Sequence, residues 1–175
     1  MKNLIRKILI VFISVLLVFL IIGILIRRVK AEQAYDRIKM LPDLVLTDIR
    51  GDTIRTSHIH NGPVLITFFH PECDHCVYEI SSLFNSSLCD SLLTILLISN
   101  ADRSEILSFM QKFNIDKTSD LHIIQDPEFR MNDLFGAAVM PSNFIYNDRL
   151  QLAKVFKGAT KPEAFMRYLF RDDKH

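Results

Sequence analysis

Only three cysteines occur in 175 residues, and only two of them, Cys73 and Cys76, form a C-x-x-C. A zinc site built from four cysteines is excluded by that count. No internal repeat and no low-complexity stretch is present, which removes solenoid and disordered-tract readings. Charge is missing in one long place: Ile8 to Ile26 holds no charged residue, and residues 1–30 hold no acidic one. Those thirty residues take six of the 21 Lys+Arg, so the remaining 15 basic and 20 acidic residues leave the rest of the chain at −5. Beyond residue 30 there is no basic stripe and no aromatic-basic interleaving, so nucleic-acid binding has no support.

What is present is apolar. At 49% hydrophobic and 10% aromatic residues, one domain can build a core without disulfide staples. At about 1.5 Å per residue, a helix over Ile8–Ile26 matches a hydrocarbon core of about 30 Å. A cleaved signal peptide is the alternative, because Val29-Lys30-Ala31 loosely fits a small-x-small site. The apolar run exceeds the usual h-region of about 7–15 residues, however, and Arg27-Arg28 intervenes. The expected organisation is therefore a membrane anchor over 1–30, a stalk over 31–40 and a globular domain over 41–175. Lys2, Arg6, Lys7 and the terminal amine stand against Arg27, Arg28 and Lys30, a slight bias towards a cytoplasmic N-terminus.

Past the stalk, Leu44–Thr47 and Thr53–Arg55 flank an Arg50-Gly51-Asp52 turn and predict a β-hairpin. Val64–Phe69 reads as a strand, and Val77, Ile80, Leu83, Phe84 and Leu88 recur at helical spacing. Leu92–Ser99 has the continuous apolar character of a strand buried on both faces. Asp102 is a candidate N-cap for a helix carrying Ile106, Leu107, Phe109, Met110 and Phe113. Leu121–Ile124 reads as a strand, and Asp126-Pro127-Glu128 as the start of a short helix ending near Gly136. Two strands, Ser142–Tyr146 and Leu150–Phe156, precede a last helix capped by Thr160-Lys161-Pro162-Glu163. The order β-β-β-α-β-α-β-α-β-β-α predicts an α/β sheet with helices on both faces.

The chemistry lies where strand 64–69 meets His70-Pro71-Glu72-Cys73-Asp74-His75-Cys76-Val77-Tyr78-Glu79. A C-x-x-C at a strand-to-helix junction has the geometry of a thioredoxin-type redox site. Cys73, at the helix N-terminus, is the expected nucleophile, its thiolate favoured by unpaired N–H groups and the helix dipole. Cys76, one turn on, is the expected resolving thiol. Asp74 and His75 should tune the pair in opposite senses. Glu79 falls three residues after Cys76, where one helical turn carries its carboxylate towards the buried thiol as a base. Met140-Pro141 precedes an apolar strand; a cis bond there would expose the residue 140 backbone to pair with a substrate peptide.

From about Leu41 onward the chain resembles the thioredoxin superfamily, in particular the membrane-anchored TlpA/ResA-type thiol–disulfide oxidoreductases. The resemblance rests on the anchor, the leading hairpin, the C-x-x-C-x-x-E of Cys73, Cys76 and Glu79, and the hydrophobic-Pro pair ending at Pro141. It implies a thioredoxin-like fold with an N-terminal hairpin extension, a β/α insertion between Cys76 and Pro141, an active-site role for Glu79 and a cis Pro141. It also implies reduction of disulfides outside the cytosol, for instance on apocytochrome c, with electrons from a membrane-bound thiol donor and no cofactor beyond the redox-active disulfide. Three positions depart from the family pattern. Glu72 replaces the aromatic residue before the first cysteine, His75 replaces the usual Pro, and Thr67 stands where many thioredoxins carry an acid.

Two other activities are weighed against this. Peroxiredoxins are similar in fold but place Thr or Ser three residues before the reactive cysteine, where this chain has His70. A copper or zinc carrier would draw on Cys73, Cys76, His58, His60, His70 and His75, yet Sco-like carriers space their cysteines by three. Cys89, beside Leu88, reads as a small hydrophobe.

Overall fold

The computed structural model describes residues 2–59, 62–90, 92–115 and 120–170. Two compact units are distinguished, residues 1–36 and Arg37–His175. In the first, helix α1 (Lys2–Ile38) exposes every residue from Leu16 to Ile26. Among the described residues no helix is long and apolar enough to cross a membrane. The described side chains from Leu16 to Ile26 span only roughly 16 Å, and between Ile8 and Val15 only Phe12 is described in its side chain.

In the second unit, β1 (Val45–Thr47) and β2 (Thr53–Arg55) form the expected antiparallel hairpin, with Leu46 opposite Ile54. Gly51 makes the turn at φ +101°, a conformation open to glycine because it lacks a Cβ. Then follow β3 (Val64–Phe68), α2 (Asp74–Phe84), β4 (Thr94–Ser99), α3 (Arg103–Lys112), β5 (Leu121–Gln125), α4 (Arg130–Phe135), β6 (Ser142–Tyr146), β7 (Leu152–Lys157) and α5 (Pro162–Leu169). That is the element order expected from the sequence. The five-stranded sheet runs β5-β4-β3-β6-β7. Strands β3, β4 and β5 are parallel, and β6 is antiparallel to both β3 and β7. Strand β5 forms one edge of the sheet and β7 the other.

Alternation along the central strand β3 divides the core. Leu65 and Phe69 face Ile80, Leu83, Phe109 and Phe165, while Val64, Ile66 and Phe68 face Leu96, Phe135 and Phe144. All five residues of β3 are buried, as a strand covered on both faces requires. The central strand thus ends under both layers and delivers the chain directly to Cys73. The hairpin covers the β5 edge: the Asp48 carboxylate accepts the Ile123 N–H at 2.7 Å, and the Ile49 N–H donates to the Ile123 carbonyl at 2.7 Å. An unpaired strand edge is otherwise a template for aggregation.

Helix ends show where local reading succeeds and fails. Asp102 caps α3 in a capping box with Glu105, as expected. Helix α4 begins at Arg130 instead of at Asp126-Pro127-Glu128. The Asp126 carboxylate accepts the N–H groups of Arg130, Met131 and Asn132 at 2.9, 2.8 and 3.2 Å, so it caps a helix that starts four residues later. The expected cap at Thr160 is also absent. Lys161 takes the N-cap position of α5 without a side-chain bond, because Thr160 is engaged elsewhere. Helix α2 stops at Phe84, and residues Ser87–Asp90 form a separate 3-10 turn. The Cys89 side chain and His60 lie outside the described residues.

Candidate active site

Cys73 is the N-cap residue of α2, with extended backbone (φ −86°, ψ 108°). Its N–H donates to the His70 carbonyl at 3.0 Å, and His70 Nδ1 accepts the Glu72 N–H at 3.3 Å. These two bonds fold His70-Pro71-Glu72 into a tight turn that sets the first sulfur at the start of the helix. The Cys76 N–H donates to Cys73 Sγ at 3.3 Å, and Cys73 Sγ lies 3.8 Å from the Met140 carbonyl oxygen. Negative charge on Cys73 Sγ therefore meets a helix-terminal N–H, the arrangement that suits an attacking thiolate.

Both thiols are free; Cys73 is half-buried and Cys76 fully buried. Burial pushes the Cys76 thiol up to about 12. Its hydrogen bond with Cys73 adds to this, a backbone bond with His70 opposes it, and the charges of Cys73 and Glu79 add further. The second thiol thus stays protonated until something takes its proton.

Glu79 is 1% exposed, and burial raises its carboxyl to about 7 against the opposing bonds from Thr160 and Asn143. Oε2 accepts the Thr160 N–H at 2.6 Å and Asn143 Nδ2 at 3.2 Å; Oε1 has no partner. The Thr67 hydroxyl donates to Asn143 Oδ1 at 2.7 Å. The Met140-Pro141 bond is cis.

The residues singled out in the sequence separate into two groups. Cys73, Cys76, Glu79, Met140 and Pro141 gather at the C-terminal end of β3. Glu72, Asp74 and His75 lie exposed around the nucleophile. Asn143 carries no site motif in the sequence, Thr160 only the signal of a helix cap, and Thr67 only a departure from the family pattern. A subtler signal was available: Thr67 and Asn143 are polar residues inside strands otherwise buried on both faces, and they are register partners. Thr160 gave none for the site, since its contribution is a backbone N–H.

Beside Met140 lies a cavity of about 360 Å³ lined in part by Phe129, Asn132, Ala137 and Ala138. A larger one, about 490 Å³ between β1 and the β5–α4 connection, contains neither cysteine. Among the described residues no three His, Cys, Asp or Glu side chains are grouped to hold a metal ion. His58 lines a different cavity, together with Asp120 and His122.

No family model matches the sequence, and no curated protein matches it. Solved structures do match. A secreted Mycobacterium tuberculosis disulfide oxidoreductase homologous to E. coli DsbE aligns with a TM-score of 0.61 at 18% identity, over 76% of this chain and 96% of its own. StoA from Bacillus subtilis aligns at 0.58 and 12%, over 74% and 98%. Peroxidoxin BcpB from Mycobacterium tuberculosis aligns at 0.63 and 15%, over 76% and 96%. At such identities the likeness establishes the fold: this chain is thioredoxin-like, as its sequence suggested. Because oxidoreductases and a peroxidoxin share that fold, the chemistry has to be argued from the site.

Proposed function

We propose that this chain is a membrane-anchored thiol–disulfide oxidoreductase that exchanges a Cys73–Cys76 disulfide with protein thiols outside the cytosol. One observation carries the reading. A half-buried sulfur at a helix start accepts the N–H of a second, buried cysteine one turn on, and it faces the carbonyl that precedes a cis proline. Cys73 attacks a client disulfide, and Cys76 then resolves the mixed disulfide by attacking Cys73. Glu79 accepts the Cys76 proton. The Met140 backbone and the adjoining apolar cavity receive the client segment.

The working direction is reduction. The resemblance to TlpA/ResA-type proteins supports that direction. A membrane-bound thiol donor returns the pair to the dithiol. Clients are protein disulfides, as in cytochrome c maturation or disulfide quality control. The charge-free run Ile8–Ile26 supplies the anchor, and a secreted neighbour in fold supports an extracytoplasmic site. The peroxidase alternative finds no Thr or Ser at the position of His70.

The experiment is turnover with a protein disulfide substrate and a thiol donor, using full-length wild type, Cys73→Ser and Cys76→Ser. Wild type reduces the substrate, and Cys73→Ser is inactive. Cys76→Ser accumulates a mixed disulfide through Cys73. Retained turnover in Cys73→Ser contradicts the assignment.

A further inference from the structure

Glu79 is held unevenly. Both of its hydrogen bonds reach Oε2, and Oε1 is buried without a partner. The sense of the Asn143 amide is set by Glu79, whose carboxylate only accepts, and the Thr67 hydroxyl then donates to Oδ1 on the far side. Turned over, the amide would set Oδ1 against Oε2, two acceptors with no hydrogen between them. Thr67 and Asn143 are both buried and directly opposed across the β3–β6 pair, so backbone register holds them together.

We propose that Asn143, held in place by Thr67, is a positioning residue that gives the two Glu79 oxygens separate tasks. Oε2 is the fixed acceptor, and Oε1 is the oxygen that exchanges a proton with Cys76. This deepens the oxidoreductase reading and rests on it. In the resolving step, the Cys76 S–H proton passes to Oε1 of ionised Glu79. The electron pair left on Cys76 Sγ attacks Cys73 Sγ. The Cys73–Cys76 bond forms as the bond from Cys73 to the client sulfur breaks, and that sulfur leaves as a thiolate. Over both steps the dithiol loses two electrons and the client disulfide gains them. Oε2 keeps its two hydrogen bonds whether or not Oε1 carries the proton, and Oε1, which has no partner at rest, closes on the Cys76 sulfur for the transfer.

The test uses the full chain in detergent micelles as wild type, Asn143→Leu, Thr67→Val and Glu79→Gln. The side-chain carboxyl carbon of Glu79, assigned by its loss in Glu79→Gln, is titrated by 13C NMR. The pH profile of mixed-disulfide resolution is followed in parallel. Loss of the amide donor in Asn143→Leu raises the Glu79 midpoint by about one unit, the scale of one hydrogen bond to a carboxylate. Thr67→Val moves it in the same direction by about half as much, and the resolution profile follows in both. Thermal melting verifies folding; where Asn143→Leu does not fold, the near-isosteric Thr67→Val decides. An unmoved Glu79 titration overturns the proposal. A wild type that reduces no disulfide overturns the oxidoreductase reading instead, and the NMR titration still reports on the clamp by itself.

Discussion

Cys73 and Cys76 share one turn of helix yet meet opposite surroundings, and the buried Glu79 follows one turn on. Its elevated pKa has a thermodynamic consequence. A folded-state value of about 7, against an ordinary 4.5, means that the folded chain binds this proton more tightly than the unfolded chain. Stability from this group is therefore full below pH 4.5, declines as pH rises to 7 and levels off above it. The loss is about 3 kcal/mol. Glu79→Gln, which keeps an acceptor for Thr160 and Asn143, should remove that decline in denaturant unfolding between pH 5 and 8. It should also slow resolution of the mixed disulfide by about 10²-fold, the lower range for losing a positioned base. A variant with the wild-type pH slope would show that Glu79 is not the titrating group. At this scale the sequence was informative for side chains fixed by spacing, namely Cys73, Cys76 and Glu79. It was silent about Thr160, whose donor is a backbone N–H reaching across 81 residues.

Elements were legible in kind and order because each long segment carries its own periodicity. Their ends were less so, since caps depend on which partner a polar group finds. Asp126 and Thr160 both carry helix-start signals; one caps a helix further along, and the other donates its N–H to the Glu79 carboxylate. The cover on the β5 edge was not legible at all, because it joins Asp48 to a strand 75 positions away. Burial pulls the Asp48 carboxyl up, but the Arg50 guanidinium and backbone N–H groups prevail and hold it below its ordinary 3.8. The carboxylate therefore contributes stability above pH 3.8, and that contribution is lost as pH falls through the lowered folded value. Asp48→Ala should cost about 3 kcal/mol in urea unfolding, because it leaves the buried Ile123 N–H without its acceptor and the Arg50 guanidinium without its carboxylate. Wild-type stability in that variant would remove Asp48 from the edge-covering role. At Gly62 (φ +125°) an added Cβ would stand 2.5 Å from the Leu92 carbonyl oxygen. Gly62→Ala should therefore cost more than about 1 kcal/mol, from strained backbone and the steric clash. A smaller loss would mean that the connection into β4 yields readily.

The whole molecule consists of a thioredoxin-like domain preceded in the chain by an apolar helix. If Ile8–Ile26 anchors the chain, full-length protein stays in the membrane pellet through alkaline carbonate washing, and a chain lacking residues 2–30 is released. Release of both would remove the anchor from the account. The central claim is that Cys73 and Cys76 form a reversible two-electron couple working as a reductant. Its most direct test is the reduction potential of the full-length protein, equilibrated in thiol–disulfide buffers after metal removal, with the free thiols trapped and counted. The account predicts a two-electron titration near the thioredoxin value of about −270 mV. A potential near the DsbA value of about −120 mV would reverse the assigned direction, and failure of the two cysteines to form a disulfide at any poise would contradict the redox function itself.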